Sequence, residues 1–361
     1  MNDNLPSTTL RHFPYPNQPN SPLKKFYPYY YRRMLSKDLQ SFYRHNSFFR
    51  LLKQLRLEII SDMEACETIW NEFSPYETLF DTWDFRYAFW EAFQCKPHFI
   101  TLKSGEDNVG LLPLWFDDNE KDPGYRWFGS EWHEENYFWV KDSLFIPILL
   151  SSSPTPLSLN AISSTAIDGT DQIMQFEEDT IKYYLDLTQI NSLDDFLSLL
   201  TKKRRYNLKR DYRKIDSKKP EIIIDNFTDV NELMRLSQER FSSRGIECFW
   251  DDPNEASVFL NMAAHRERYK QFTLRMLTVK IDGKVAGVDL IAIFKNSYYP
   301  FICGYDVKNH SGIGAYFTVI ELLDALKLNM KRFDVLEGNY NWKDRYFTPM
   351  RMYKYERKKT A

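Results

Sequence analysis

The sequence predicts a two-lobed α/β (α+β) protein, each lobe a mixed, mostly antiparallel sheet flanked by helices. Three observations point there. A chain of 361 residues is too long for one ordinary core, and two domains of about 150 residues are the default. Strand and helix patterns alternate along both halves instead of separating into blocks. Both halves also open on a strand followed by a helix, which points to an internal structural duplication, although no residue-level repeat is visible.

Residues 1–55 come first. Pro6, Pro14, Pro16, Pro19, Pro22 and Pro28 exclude a helix from most of this stretch, so an irregular arm is expected, passing into a helix that ends near Leu55. Its segment 24–33 mixes basic and aromatic side chains. It is either a membrane-interface anchor or an arm packed on its own domain. The first lobe, 56–175, begins with a strand over 57–60 and a helix over 62–73 capped by Ser61 or Asp62. A second helix, 83–93, carries a dense aromatic face. Strands follow at 99–102 and 109–115, joined by a polar turn, and further strands fit 126–129 and 137–140. The stretch 151–170, rich in Ser, Thr, Pro and Ala, reads as a boundary region that either stays irregular or holds a helix.

The second lobe, 176–361, opens with a strand at 183–187. Ser192 and Asp195 fit a capping box, and the helix they start is expected to run on through the basic block 202–215. A strand at 221–224 and a helix over 230–244 ended by Gly245 come next, then a helix over 254–269. Asp282-Gly283 is the strongest short-range turn signal in the chain and joins strands 272–281 and 284–294. A strand over 298–305, a helix over 315–330 and a strand over 333–336 follow.

A composition of 43% hydrophobic and 27% charged residues is globular, and 16% aromatic supplies rings for core and pocket alike. A net charge of −2 argues against a protein built wholly around nucleic acid. Charge is unevenly placed, however. Residues 202–219 hold ten basic side chains against Asp211 and Asp216, with Tyr206, Leu208, Tyr212 and Ile215 near helical spacing. This amphipathic basic helix is a solvated face, a patch for an anionic substrate, or a surface for RNA or lipid headgroups. Four widely spaced cysteines without a CxxC read as reduced thiols, and no secretory signal is visible, so a cytoplasmic location is expected. The longest strongly apolar run, 144–150, is too short to span a bilayer. The six histidines are scattered and no HExxH occurs, so no metal site is expected. Neither a GxSxG elbow nor a P-loop lysine motif is present.

The strand 298–305 ends in Cys303-Gly304-Tyr305-Asp306 and passes through Ser311-Gly312-Ile313-Gly314-Ala315 into a helix. Strand, glycine turn and helix N-terminus in that order gather the backbone N–H groups of Ile313 to Tyr316 into a pocket for an anion such as a pyrophosphate. The alternative is a tight turn that needs a glycine at φ > 0. Asp289 lies inside an apolar strand, where a carboxylate is costly unless paired or functional and where burial moves its pKa towards that of a general base. The alternative is a carboxylate paired to an arginine or facing solvent at a strand edge. Glu337 and Asp306, at strand ends near glycines, are secondary bases or turn and cap residues. Lys343 and Arg345 hold an anionic group or form a solvated basic loop. Trp342 and Tyr340 stack on a ligand or pack in the core. His310 titrates near neutral pH and adjoins the glycine turn.

Several stretches together carry a family resemblance. They are Lys202-Lys203-Arg204-Arg205-Tyr206-Asn207-Leu208-Lys209-Arg210, the hairpin 279–287, Gly304-Tyr305-Asp306, the glycine turn, and Arg332-Phe333-Asp334-Val335-Leu336-Glu337-Gly338 with Trp342-Lys343 behind it. In their order and spacing they resemble the acetyltransferase domain of the GNAT superfamily, in its cellulose-biosynthesis-associated (CelD/BcsL), Fem-like branch. Residues 56–140, with Trp83, Trp90, 109–114 and 126–129, resemble that family's degenerate first half. The resemblance implies a tandem GNAT-like fold and an acyltransferase. Such an enzyme moves an acyl group, acetyl in the first instance, from acyl-CoA to an amine or hydroxyl of a small-molecule or glycan acceptor, in polysaccharide or cell-envelope biosynthesis. It implies that Ser311, Gly312, Ile313, Gly314 and Ala315 hold acetyl-CoA or another acyl-CoA, helped by Lys343. It also makes Asp289 the first choice of base, with Glu337 and Asp306 behind it. One departure stands out: Asn309, with Lys308 beside it, occupies the place where the usual phosphate loop has Arg or Gln. The Fem-like branch uses aminoacyl-tRNA, so tRNA on the basic helix is the alternative donor. A non-catalytic, membrane-peripheral binding protein working through its N-terminal arm is a third reading.

Overall fold

The computed structural model describes residues 55–119, 121–130, 132–168, 170, 174–338 and 342–358. The expected N-terminal arm and Tyr340 lie outside them. In chain order the first half contains β1 (Leu55–Ile60), α1 (Met63–Phe73), α2 (Trp83–Phe93), β2 (Lys96–Ser104) and β3 (Asp107–Asp117). Then come β4 (Gly124–Trp127), β5 (Trp139–Val140), α3 (Ile146–Ser152) and β6 (Leu157–Ser163). The second half continues with β7 (Glu177–Asp186), α4 (Leu193–Leu199), α5 (Lys202–Asp216), β8 (Glu221–Ile224), α6 (Val230–Ser242) and α7 (Pro253–Ala264). It ends with β9 (Thr273–Ile281), β10 (Lys284–Phe294), β11 (Ser297–Tyr305), α8 (Ile313–Lys327), β12 (Arg332–Glu337) and β13 (Thr348–Arg357). The fold is mixed α/β.

The chain forms two compact units that interleave along the sequence. The first takes the described parts of Met1–Tyr76, Gln94–Asp179 and Arg351–Ala361; the second takes Glu77–Phe93 and Thr180–Met350. Residues 77–93 thus belong to the second unit although they precede 94–179 of the first. Aromatic packing explains why 77–93 leaves its sequence neighbours. Phe80 lies 5.9 Å from Tyr299, Phe85 5.6 Å from Phe272 and Phe89 5.9 Å from Phe259, all rings of the second unit.

In the first unit the strands run β1-β2-β3-β4-β6-β13, with β5 added on β3. Helix α1 starts where expected, Asp62 accepting a hydrogen bond from the Ala65 amide at 3.0 Å. Leu102, Leu112, Leu114, Leu149, Leu159 and Ile162 are fully buried in its core. The stretch 151–170, expected to stay irregular or form a helix, contains β6. Its buried residues Leu157, Leu159 and Ala161 alternate with Ser158 and Asn160, a pattern too short of β-branched residues to announce itself. β6 is parallel to β4, paired at Tyr125↔Leu157. Further along β6, Asn136 takes the neighbouring place, its amide donating to Ala161 O at 2.8 Å and its carbonyl accepting from Ser163 N at 3.0 Å.

In the second unit the order is β8-β9-β10-β11-β12-β7. β9 and β10 form the expected hairpin, with Asp282 at φ 52 and Gly283 at φ 76, the left-handed pair that a two-residue turn of this kind requires. The single helix expected across 193–215 is two helices. Leu200 turns extended, and the Thr201 hydroxyl caps α5 by accepting from the Arg204 amide at 3.4 Å. Two glycines show how α6 and α8 cover opposite faces of the sheet. A Cβ on Gly304 would stand 2.1 Å from Leu233 O of α6, and one on Gly287 would stand 2.5 Å from the Phe317 ring of α8. Deep in this unit Lys182 pairs with Asp334 at 3.3 Å, both side chains 0% exposed, its ammonium 4.4 Å above the Phe80 ring.

Candidate active site

β11 and β12 are parallel but pair only at Ser297↔Arg332 and Tyr298↔Phe333. Beyond those residues each continues without a ladder bond to the other, so their C-terminal ends part. α8 follows directly from the end of β11. Gly312 is its N-cap at φ 98, a left-handed conformation that costs a side-chain-bearing residue about 1–2 kcal/mol. The Ile313 amide bonds His310 O and the Tyr316 amide bonds Gly312 O, both at 3.0 Å. Of the N–H groups expected in the anion pocket, those of Gly314 and Ala315 are thus left for an outside acceptor, as at any helix start.

Asp306 builds the loop leading to that turn. Its carboxylate accepts from Asn309 N at 3.0 Å and from Asn309 Nδ2 at 2.8 Å. Burial alone would raise this carboxyl, but the Asn309 bonds outweigh it and hold the pKa below the ordinary aspartate value. Asn309 therefore shapes the loop from the place where Arg or Gln was expected. α5 crosses the start of α8: a Cβ on Gly312 would meet Asp211 at 3.3 Å, and Tyr212 stacks on Tyr316 with 5.1 Å between centroids. Lys218 donates to His310 Nδ1 at 3.0 Å, and Tyr346 lies in the field of Arg345, Asp211, Arg204 and Arg210.

Asp289 sits in the middle of β10, 2% exposed and opposite Cys303 of β11. Its Oδ2 accepts from Tyr305 Oη at 2.6 Å. Burial pushes its pKa up to about 6, although hydrogen bonds from Glu321 and Tyr305 and the charge of Arg240 pull the other way. Arg240 of α6 donates to Cys303 Sγ at 3.6 Å and lies 5.7 Å from the Tyr305 ring, reached past the edge of β11 that β12 has left. The Tyr305 ring also joins the cluster to the glycine turn. It lies 4.7 Å from the Phe317 ring, and a Cβ on Gly314 would stand 3.6 Å from it. The structure thus brings Asp289 and the turn 312–315 together through a residue to which the sequence reading gave no role.

Glu337 and Lys343 lie at the other parting strand. Glu337 accepts from Thr180 Oγ1 at 2.5 Å. Lys343 is 6% exposed and not in a solvated loop. Its ammonium donates to Leu336 O at 3.3 Å and to Glu337 O, bracing the end of β12 where Leu336 (φ 64) and Gly338 (φ 110) turn the chain. Trp342 packs edge-on against Phe347 at 5.9 Å. Sequence reasoning also missed Arg240 and Glu321. Glu321 carried the same signal as Asp289, an isolated acid in the apolar run Val319-Ile320-Glu321-Leu322-Leu323. Among the described residues no group of three or more His, Cys, Asp or Glu is placed to hold a metal ion, and no helix is long and apolar enough to cross a membrane.

Residues 202–344 match a family model described as an acetyltransferase (GNAT) domain. The chain thus carries a GNAT-type acetyltransferase domain, contained in the second unit. Among solved structures it is similar to FemX, with a TM-score of 0.58 at 8% identity over 83% of this chain and 97% of that one. It is also similar to a conserved protein of unknown function from Bacteroides thetaiotaomicron VPI-5482, with a TM-score of 0.52 at 12% identity over 82% and 98% of the two chains. A tandem GNAT protein from the clavulanic acid biosynthesis pathway aligns at a TM-score of 0.47 and 13% identity, over 85% of this chain and all of that one. No curated protein sequence matches. At such identities the shared property is the fold.

Proposed function

We propose that the second unit is an acyltransferase that moves an acyl group, acetyl in the simplest case, from acyl-CoA to an amine or hydroxyl acceptor. One observation carries this reading. The parallel strands β11 and β12 part after two residue pairs, and α8 begins at the mouth of the gap with Gly312 at φ 98. A parted pair of strands offers unpaired backbone groups to an amide-bearing ligand, and the adjoining helix start offers the Gly314 and Ala315 amides to its pyrophosphate. Gly312 and Gly314 keep that approach free of side chains, with Ser311, Ile313 and Ala315 forming the rest of the cradle. The thioester is already activated, so chemistry asks only for alignment and a path for one proton. Asp289 is the base in this reading, since its raised pKa leaves it ionised and still basic near neutral pH. Asp306, held in its ionised form by Asn309, shapes the loop.

A second reading keeps the fold and takes aminoacyl-tRNA as donor. The exposed face of α5 favours it: Lys202, Lys203, Arg210, Arg213 and Lys214 are all exposed, and Tyr206 is 67% exposed beside them. Lys202 and Lys203 also stand in the first turn, where a helix repels cations, which suits a surface that meets a polyanion. Calorimetric titration with acetyl-CoA, a long-chain acyl-CoA, free CoA and tRNA, each at two salt concentrations, separates the two. The CoA reading expects saturable binding of CoA species with weak salt dependence. Binding of tRNA alone, falling steeply with salt, would replace it with the second reading.

A further inference from the structure

Two acidic residues lie three positions apart on the buried face of α8, and their surroundings differ. Asp324 is met by Arg275 of β9, through Nε at 2.5 Å and Nη2 at 2.6 Å, and by the Tyr298 hydroxyl at 3.0 Å. Glu321, 5% exposed, has no such cation; its Oε1 is buried without another hydrogen-bond partner, as is Oδ1 of Asp289, and the two carboxyls act on each other's ionisation. A hydrogen bond between two carboxyl groups needs a proton between them, and two buried carboxylates in contact cannot both ionise. The groups facing the pair are Cys303, Tyr298 and Tyr305 from β11, Arg240 from α6 and Asp324 from α8 itself. Only Arg240 among them is a cation, and it acts on Asp289. The direction follows: Glu321 is pushed well above the ordinary glutamate value by burial and by the Asp289 charge, so it holds the proton and donates to Asp289.

Resting on the acyl-CoA reading above, we propose that Tyr305 is the catalytic hydroxyl that meets the reacting atoms, and that Asp289 and Glu321 behind it form a one-proton carboxyl pair which stores the acceptor's proton. Asp289 is 2% exposed and does not reach a ligand itself, whereas the Tyr305 ring borders Gly314 at the donor cradle and its hydroxyl is bonded to Asp289. With a neutral amine acceptor, the nitrogen lone pair attacks the thioester carbonyl and a C–N bond forms. One N–H proton passes to Tyr305 Oη while the tyrosine proton moves to Asp289 Oδ2. Collapse of the tetrahedral adduct breaks the C–S bond. The thiolate then takes the stored proton back through Tyr305, leaving amide, free CoA thiol and the pair as it began. Glu321 is the positioning residue, since it acts through Asp289 and sets how readily that carboxylate accepts.

The test uses the full chain with acetyl-CoA and a panel of amine acceptors. Tyr305→Phe keeps the ring beside Gly314, so CoA affinity is expected to stay within about threefold while kcat falls about 10²-fold or more. A wild-type kcat in this variant overturns the relay. Glu321→Met removes the hydrogen bond to Asp289, and the acidic limb of the kcat/KM–pH profile is expected to move up by about one pH unit. Glu321→Gln, which still donates, brings it back. An unmoved limb in both variants overturns the pair. A readout independent of turnover is ¹³C NMR titration of the side-chain carboxyls in wild type and Glu321→Gln. The expected result is one carboxyl titrating near Asp289's raised value and a partner that stays protonated beyond neutral pH and is missing in the variant. Two independent titrations near the ordinary carboxylate range overturn the pair. Should CoA fail to bind at all, the donor reading and the relay both fall, while the NMR result still decides the pair.

Discussion

The two units solve the same topological problem and differ at one place. Each sheet contains a parallel pair, β4 with β6 in the first and β11 with β12 in the second, and in each the pair is bonded only near its start. In the first unit the chain itself takes the place beside β6. Asn136 bonds Ala161 and Ser163 through its backbone, while its side chain donates to His133 O at 2.6 Å and Asn160 O at 3.1 Å. In the second unit β11 runs straight into the glycine turn and α8, and Asp289, Tyr305 and Glu321 collect at its end. Two sheets of one strand order can thus close one parted strand pair on the chain itself and leave the other open. The difference lies in a few loop residues, and the sheets share their order.

The largest expected effect is on stability in the second unit. Gly304→Ala would place its Cβ 2.1 Å from the Leu233 carbonyl, a backbone atom that cannot rotate away, so chemical denaturation should show a loss of at least about 3 kcal/mol or no folded unit. Gly110→Ala in the first unit meets side-chain atoms, Leu149 Cδ1 and Val140 Cγ1 at 3.2 Å and Leu102 Cβ at 3.5 Å, and should cost about 1 kcal/mol or less. Equal costs would mean that the two sheets are covered equally tightly. Next comes donor affinity. Gly312→Val forces a β-branched residue to φ 98 against Asp211 and should weaken CoA binding at least about tenfold. Asn136→Ala should leave CoA binding unchanged while costing about 1–2 kcal/mol of stability, because it strips two side-chain hydrogen bonds from the plugged strand pair.

A pH effect of similar size is confined to the second unit. The folded pKa of Asp289, about 6, lies above the unfolded value near 4, so the folded state binds more protons between those values. Its contribution to stability is complete below about pH 4 and lost as pH rises through about 6, on the order of 2 kcal/mol. Asp289→Asn should flatten that part of the urea-midpoint profile. An unchanged slope would show that Asp289 titrates as an exposed aspartate does.

Much of this was legible in the sequence. The hairpin across Asp282-Gly283, the Asp62 cap and the isolated Asp289 each announced themselves, because turn chemistry, capping and the cost of a buried charge are local. What stayed hidden depends on partners distant in sequence. β6 has a single β-branched residue, Ile162, and takes its identity from neighbours on both sides. The move of 77–93 into the second unit is decided by rings far along the chain, as the Phe80–Tyr299 contact shows. Lys343 read as a cation that holds an anionic group or lies in a solvated loop, and the carbonyls at the end of β12 that it braces could not be seen from the sequence. Tyr305 sat inside a quoted motif without a role, since only its 2.6 Å bond to Asp289 reveals one.

The central contrast, one strand pair closed by its own chain and one open to a donor, is tested most directly by amide hydrogen exchange with and without saturating acetyl-CoA. The expected result is new protection at Gly314 and Ala315 and along the end of β11, with no change around Asn136 and β6, and one molecule bound per chain. Protection around β6, or two molecules bound per chain, would contradict it.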